Sequence, residues 1–431
     1  MVTVPESPVP HLTTASMGPP HEVEHRILDN QVKIECWLRG QWRKTPAPFY
    51  TSVDLRNAGF KIAPVDTNLF PAGFNNLNPD FEPLSIQAIQ QAVEHLDRTV
   101  DRILIIPENH TRNRFYLESV AVLQGLIESA GFTVRLGSLL PDLRQPAKVK
   151  LDSGRELVLE PMQREGRRLR IGDFDPDLVL LNNDLSGGVP AIVEDLEQLV
   201  RPSPRLGWST RLKSVHFSFY QQVAREFAEL LGFDPWLIDP MFRNCGAIDF
   251  MKREGQSCLE LNIESLLGAI RKKYDEYGIE CEPYAMVKAD AGTYGMGVMS
   301  IRSAREVLEL NRKQRTSMST AKEGQKVTKV LIQEGVYTHE TWGPQSNVAE
   351  PVVYLIDQSV VGGFYRVHSA RSSSENLNAP GMRFEPLAFD DCCIAPDKAQ
   401  SPEAHPNRFY AYGVIARLAG LAAARESASV T

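Results

Sequence analysis

The chain has 431 residues, 42% of them apolar and 23% charged, which excludes disorder as its main state and predicts two or three structural units. Lys and Arg number 47 against 54 Asp and Glu, a formal charge of −7, so bulk electrostatic binding of nucleic acid is excluded while a local basic cleft is not. No apolar run reaches the ~18 residues of a membrane span, and six cysteines with no CxxC pair point to free thiols in a reduced, cytoplasmic setting. The histidines show no zinc-enzyme spacing such as HExxH.

Residues 1–22 carry five prolines and neither a basic nor an apolar leader, and are expected to form a mobile tail. Ile86, Ile89, Val93 and Leu96 are spaced as one helical face within 83–99. The run RILIIP (102–107) predicts a strand buried on both faces, followed by a helix over 115–130 that stops at Gly131 and a strand over 132–139. Strand, helix and strand at this spacing predict a parallel α/β unit. A hairpin turning at Asp152-Ser153-Gly154 and a buried strand over 177–184 complete a domain expected to span 23–207. A boundary is placed in RPSPRLG (201–207). The amphipathic helix over 215–233 then opens a second module, 208–431, with an exposed basic loop at 312–329 and a final helix at 408–425.

The most informative segment is YAMVKADAGTYGMGVMSI (284–301). Lys288 ends a β-like run, and Gly292, Gly295 and Gly297 follow before a second run. Glycines let backbone N–H groups approach phosphate oxygens, and a lysine beside them neutralises charge. No Gly-Lys-Ser/Thr follows, so this is not a Walker A loop; no helix opens after it, so it is not a dinucleotide fingerprint. A plain glycine-rich hairpin is the alternative reading. Downstream, VLIQEGV (330–336) predicts a strand carrying Gln333 and Glu334 and reaching Val336, and later strands bring Arg366 and Asn376. This order of lysine, glycine flap, Gln-Glu strand, Arg and Asn resembles the ATP-grasp fold. The resemblance implies ATP held by Lys213, Lys288, the flap glycines, Gln333, Glu334, Val336, Arg366 and Asn376.

That fold usually holds magnesium on an Asp and a Glu-x-Asn from adjacent strands near its end, and nothing after Asn376 fits. GAIDFMKREGQSCLELNIES (246–265) is read as that pair of strands moved ahead of the glycine loop. Asp249 stands on one, and Glu260 and Asn262 share a face of the other by period-2 alternation. An ordinary charged hairpin is the alternative, with Glu350 and Asp357 as fallback ligands. In the first domain, Asp66, Asn68, Asn75 and Asn76 (within 64–79) and Arg112 and Arg114 (within 107–116) are candidates for an amino-acid head group, since open α/β sheets bind ligands beyond the carboxyl ends of their strands. The loop NNDLSGGVP (182–190) is a further strand-end candidate.

The segments VDTNLFPAGFNNL, IPENHTRNRFY, LLNNDLSGGVP and VKADAGTYGMGV, in this order, resemble the bacterial ATP-grasp-like glutamate–cysteine ligases, from about residue 25 to 425. The resemblance implies a Rossmann-like α/β domain followed by a permuted ATP-grasp-like module. It also implies ATP and Mg2+, small-molecule substrates, a homo-oligomer as one option, and γ-glutamylcysteine formation through an acyl phosphate. Lys288 and Arg366 would then stabilise the moving phosphoryl group. A glutathione synthetase or other ligase of the same fold, and a nucleotide-binding protein without turnover, are the alternatives.

Overall fold

The structure is a computed structural model that describes residues 9–12, 14, 21–109, 113–292, 297–320, 326–387, 389–393 and 408–430. It is a mixed α/β fold with several sheets. One sheet has the order Leu199–Arg201, Leu178–Asn182, Arg102–Pro107, Thr133–Ser138, Glu156–Pro161, Ala147–Lys150; its first five strands are parallel and the last pairs antiparallel. The helices Glu82–Glu94 and Arg114–Ser129 cover one face of it. The central sheet is antiparallel, with the order Arg383–Pro386, Ser359–His368, Asn347–Ile356, Tyr50–Asn57, Ile62–Asn68. The third sheet is antiparallel with the order Phe242–Cys245, Val330–Glu334, Ala285–Ala289, Val298–Ile301.

Period-2 alternation divides the core between two layers. Along Asn347–Ile356, Val352, Tyr354 and Ile356 face the same core as the two helices, together with Ile103 and Ile105. Val353 and Leu355 point the other way, into a core shared with the helices Lys213–Leu231, Gln256–Tyr277 and Phe409–Val430. The last of these is apolar nearly all round and correspondingly buried. Its Arg417 reaches outward to Glu35 at 2.7 Å. Among the described residues no helix is long and apolar enough to cross a membrane.

Several expectations are corrected. The break expected at 207 does not separate the sheets, because Tyr50–Asn57 pairs with Asn347–Ile356 and the helix Phe409–Val430 packs on Ile62–Asn68. Strands so far apart in sequence meet because each has an apolar face to bury. Within the expected tail, Val9–Leu12 pairs with Phe389–Cys393, and residues 1–8, 13 and 15–20 lie outside the described residues. The basic segment 312–329 is not simply a loop: Arg312–Ser319 is a helix opened by a capping box between Asn311 and Gln314. Residues 246–265 are not two strands. Asp249 lies in a short bridged turn with Glu254, and Gln256–Tyr277 is one helix. Leu259, Ile263, Leu266, Leu267 and Ile270 form its buried stripe at helical spacing, which outweighs a three-residue alternation.

Candidate active site

A cleft opens between the third sheet and one face of the central sheet. From the third sheet, Met286, Lys288 and Gln333 face it; Met286 and Gln333 are cross-strand partners, and Lys288 lies two residues along on the same face. From the central sheet come Asp54 and Arg56 on one strand, Asp66 on the next, Glu350 on a third and Arg366 on a fourth. The register explains their convergence: Glu350 is opposite Arg366, and Asp54 is opposite both Val352 and Asp66. Lys213 enters from the first turn of the helix Lys213–Leu231, and Gly292, Asn376 and Asn378 complete the wall.

Two carboxylates directly opposite each other destabilise a strand pair unless cations separate them. Here Lys213 Nζ donates to Asp66 at 2.5 Å, and Arg366 Nη1 donates to Asp54 at 2.8 Å and to Glu350 at 2.6 Å. Arg56 Nε donates to the other Glu350 oxygen at 2.9 Å, and its remaining donors reach the carbonyls of Val336, Ser373 and Glu375. Burial alone would raise both Asp66 and Glu350; the neighbouring lysines hold Asp66, and Arg56 and Arg366 hold Glu350, below their ordinary values. Asp54 stays raised by burial, with Arg366 only partly compensating. Arg366 itself is shifted upward, because Asp54 and Glu350 outweigh its burial.

Lys288 stands apart. Its Nζ donates to Gln333 Oε1 at 2.7 Å and to the Val65 carbonyl at 2.9 Å, with no carboxylate in direct contact. Burial brings it down to about 8, opposed by the more distant Asp66. Two buried polar atoms in the cleft walls, Gln333 Nε2 and Arg366 Nε, have no hydrogen-bond partner among the described residues. Buried donors are rarely left so without a ligand or water to meet them. The loop after Lys288 turns at Gly292 and closes at Gly297, with φ of 99° and 63°, a conformation that favours glycine.

Of the residues singled out from sequence, Lys213, Lys288, Gly292, Gln333, Glu334, Val336, Arg366, Asn376 and Asp66 all line this cleft. Gly297 lies beside it, its carbonyl bonded to Ala289 N. Gly295 and Arg112 lie outside the described residues. Glu334 is committed elsewhere: it is buried and accepts from Lys61 Nζ, Trp236 Nε1 and Met241 N. The Val336 carbonyl accepts from Tyr284 Oη at 2.7 Å and Arg56 at 3.1 Å, so both its lone pairs are taken. Asn376 closes a turn onto Asn378.

The expected metal set does not assemble. Asp249 pairs with Lys326 at 2.7 Å, and Glu260 and Asn262 sit on a helix, where i and i+2 side chains diverge by about 200°. None of the three lines the cleft. Of the fallback pair, Glu350 does, while Asp357 lies past the far end of its strand, paired with His95 at 3.0 Å. Among the substrate candidates, Asn68 caps a turn to Phe70, and Asn75 and Asn76 lie in the short helix Phe74–Asn76. Arg114 is exposed and pairs with Asp152. The 182–190 loop lies at the carboxyl edge of the parallel sheet, where Asn183 and Gly188 line a separate hollow.

Asp54 and Arg56 were missed. Their signal is the period-2 pair of charges inside YTSVDLRN, an otherwise buried strand, since charges alternate into such a strand only where something answers them.

A family model described as Glutamate-cysteine ligase matches residues 24–427. A solved structure from Methylobacillus flagellatus KT, provisionally named a gamma-glutamylcysteine synthetase, is 55% identical with a TM-score of 0.87, covering 98% of this chain and 100% of that one. D-alanyl-alanine synthetase A from Vibrio cholerae is 11% identical, TM-score 0.35, over 73% of this chain and 79% of that one. A glutathione synthetase-like effector from Globodera pallida is 10% identical, TM-score 0.38, over 83% and 82%. Likenesses as slight as these last two establish neither fold nor function. No curated protein matches.

Proposed function

The chain belongs to the glutamate–cysteine ligase family, and from that premise we propose that the cleft around Lys288 is where ATP meets the side-chain carboxylate of glutamate. The family's activity is ATP-dependent formation of γ-glutamylcysteine. The observation that carries the assignment of the cleft is the meeting of Lys213, Lys288 and Arg366 with unpartnered donors on Gln333 and Arg366. Cations on two facing sheets suit a polyphosphate laid between them. The reading is a permuted ATP-grasp-like module, in which the first two strands of the central sheet supply what that fold usually takes from its end.

Magnesium fits the donor set. Asp54 and Asp66 are cross-strand neighbours with hard oxygen donors, and Mg2+ needs only one or two carboxylates besides phosphate oxygens. When bound, magnesium neutralises phosphate charge and aligns the transfer. Lys288 and Arg366 stabilise the phosphoryl group as it passes to the glutamate carboxylate, and Lys213 holds the phosphates from the helix end. The cysteine amine then attacks the acyl carbon and phosphate leaves. The free thiols Cys36, Cys245, Cys258 and Cys281 have no role in this chemistry and accord with a cytoplasmic enzyme.

The test is ADP release with glutamate alone, cysteine alone and both. Release requiring both amino acids supports the reading. Release with γ-glutamylcysteine and glycine instead would move the assignment to a glutathione synthetase.

A further inference from the structure

The helix Lys213–Leu231 begins at Leu212, which offers no side-chain cap. Its cap comes from 76 residues away. Asp290 Oδ1 accepts from Ser214 N at 2.8 Å, Oδ2 accepts from Ser214 Oγ at 2.7 Å, and the Asp290 carbonyl accepts from Lys213 N at 2.7 Å. The same residue donates its N–H to the Lys329 carbonyl at 3.1 Å, at the start of the strand that carries Gln333. Asp290 is 2% exposed, so these bonds are sheltered from water. In sequence it stands two residues after Lys288 and two before Gly292.

Through its carboxylate on Ser214 and its backbone carbonyl on Lys213 N, Asp290 fastens the helix that carries Lys213 to the strand end and loop that carry Lys288 and Gly292. Lys213 and Lys288 are not bonded to each other; Lys213 bonds Asp66, and Lys288 bonds the Val65 carbonyl. Their ammonium groups are anchored on consecutive residues of the strand Ile62–Asn68, and Asp290 joins the backbones they extend from. We infer that Asp290 is a positioning residue for ATP, setting the separation of the two lysines and the first glycine against which the phosphates lie. It touches none of the reacting atoms. The inference rests on the reading of the cleft as the ATP site.

The experiment compares Asp290→Ala, Asp290→Asn and Ser214→Ala with wild type, reading kcat, the KM of each of the three substrates, and ATP binding by calorimetry. A small misplacement of positioned groups costs up to about a hundredfold in rate. Asp290→Ala should therefore lower kcat/KM for ATP by about that factor and weaken ATP binding, with the KM for glutamate and cysteine within about twofold. Asp290→Asn keeps an oxygen for Ser214 N and should recover most of the loss. Ser214→Ala, which removes only one of the carboxylate's bonds, should give a smaller, ATP-specific loss, and it carries the test if Asp290→Ala does not fold. Unchanged ATP constants in a folded variant, or an equal rise in all three KM values, overturns the inference. A Lys288 variant assayed alongside separates the two levels: if it too leaves ATP binding unchanged, the cleft assignment fails, and if only the Asp290 and Ser214 variants do, the positioning role alone falls.

Discussion

Replacing Lys288 with methionine should make the protein more stable and nearly inactive. The side chain is half-buried, and its loss of solvent brings its ammonium from 10.5 to about 8. That difference corresponds to about 3 kcal/mol held against the folded state while the lysine is charged. Methionine fills similar space without the charge, so up to about 3 kcal/mol should be recovered at pH 7. Lost hydrogen bonds to Gln333 and Val65, and a less compensated Asp66, reduce the gain to about 1–2 kcal/mol. The sign follows from proton binding. Between about pH 8 and 10.5 the folded wild type holds fewer protons than the unfolded chain, so its stability rises with pH through this window. The advantage of methionine is therefore full below pH 8 and shrinks as pH rises towards 10.5. Loss of a preorganised cation at the phosphoryl group should cost turnover about a hundredfold to a thousandfold. Urea unfolding at pH 7 and pH 9.5, with ADP release at pH 7, measures both effects. A variant less stable than wild type at pH 7, or a gain that grows with pH, would refute the electrostatic reasoning; near-wild-type turnover would refute the catalytic role.

Arg366→Lys keeps the charge but cannot span Asp54 and Glu350 as a guanidinium does, and turnover should fall by about tenfold to a hundredfold with the fold retained. Arg366→Ala leaves Asp54 without its cation and Glu350 with Arg56 alone, and should lose about 3–5 kcal/mol in urea unfolding. Gly335 packs against the ring of Tyr284, with no room for a Cβ, so Gly335→Ala should cost about 1–3 kcal/mol and weaken ATP binding by shifting Val336. Asp54→Asn and Asp66→Asn should raise the magnesium concentration needed for half-maximal rate, whereas Asp249→Asn and Glu260→Gln should not. A magnesium titration of the four variants would reverse the assignment if the pattern were opposite.

Much of the cleft was legible because it is local. Lys288 and Gln333 sit on short strands whose type follows from β-like runs and glycine punctuation, with Gly292 in the loop that follows, and the cleft positions of the two side chains follow from period-2 alternation. The parallel α/β elements were legible for the same reason, as RILIIP and its helix carry their pattern within a few residues. What could not be read was pairing over long separations. Asp54 meets Arg366 across 312 positions, and no local signal says that Tyr50–Asn57 lies beside Asn347–Ile356. The metal strands went astray through the opposite error. Glu260-Leu261-Asn262 was weighed as three residues, when the helical stripe from Leu259 to Ile270 decides its environment. The proposed magnesium site places an acidic pair instead on Asp54 and Asp66, which the pairing of the two N-terminal strands of the central sheet brings together.

The most direct measurement uses glutamate labelled with 18O in its side-chain carboxylate, incubated with ATP, magnesium and cysteine. Phosphoryl transfer to that carboxylate followed by attack of the cysteine amine predicts one labelled oxygen in the released phosphate for each γ-glutamylcysteine formed. Unlabelled phosphate, or ADP release without the dipeptide, would contradict the account.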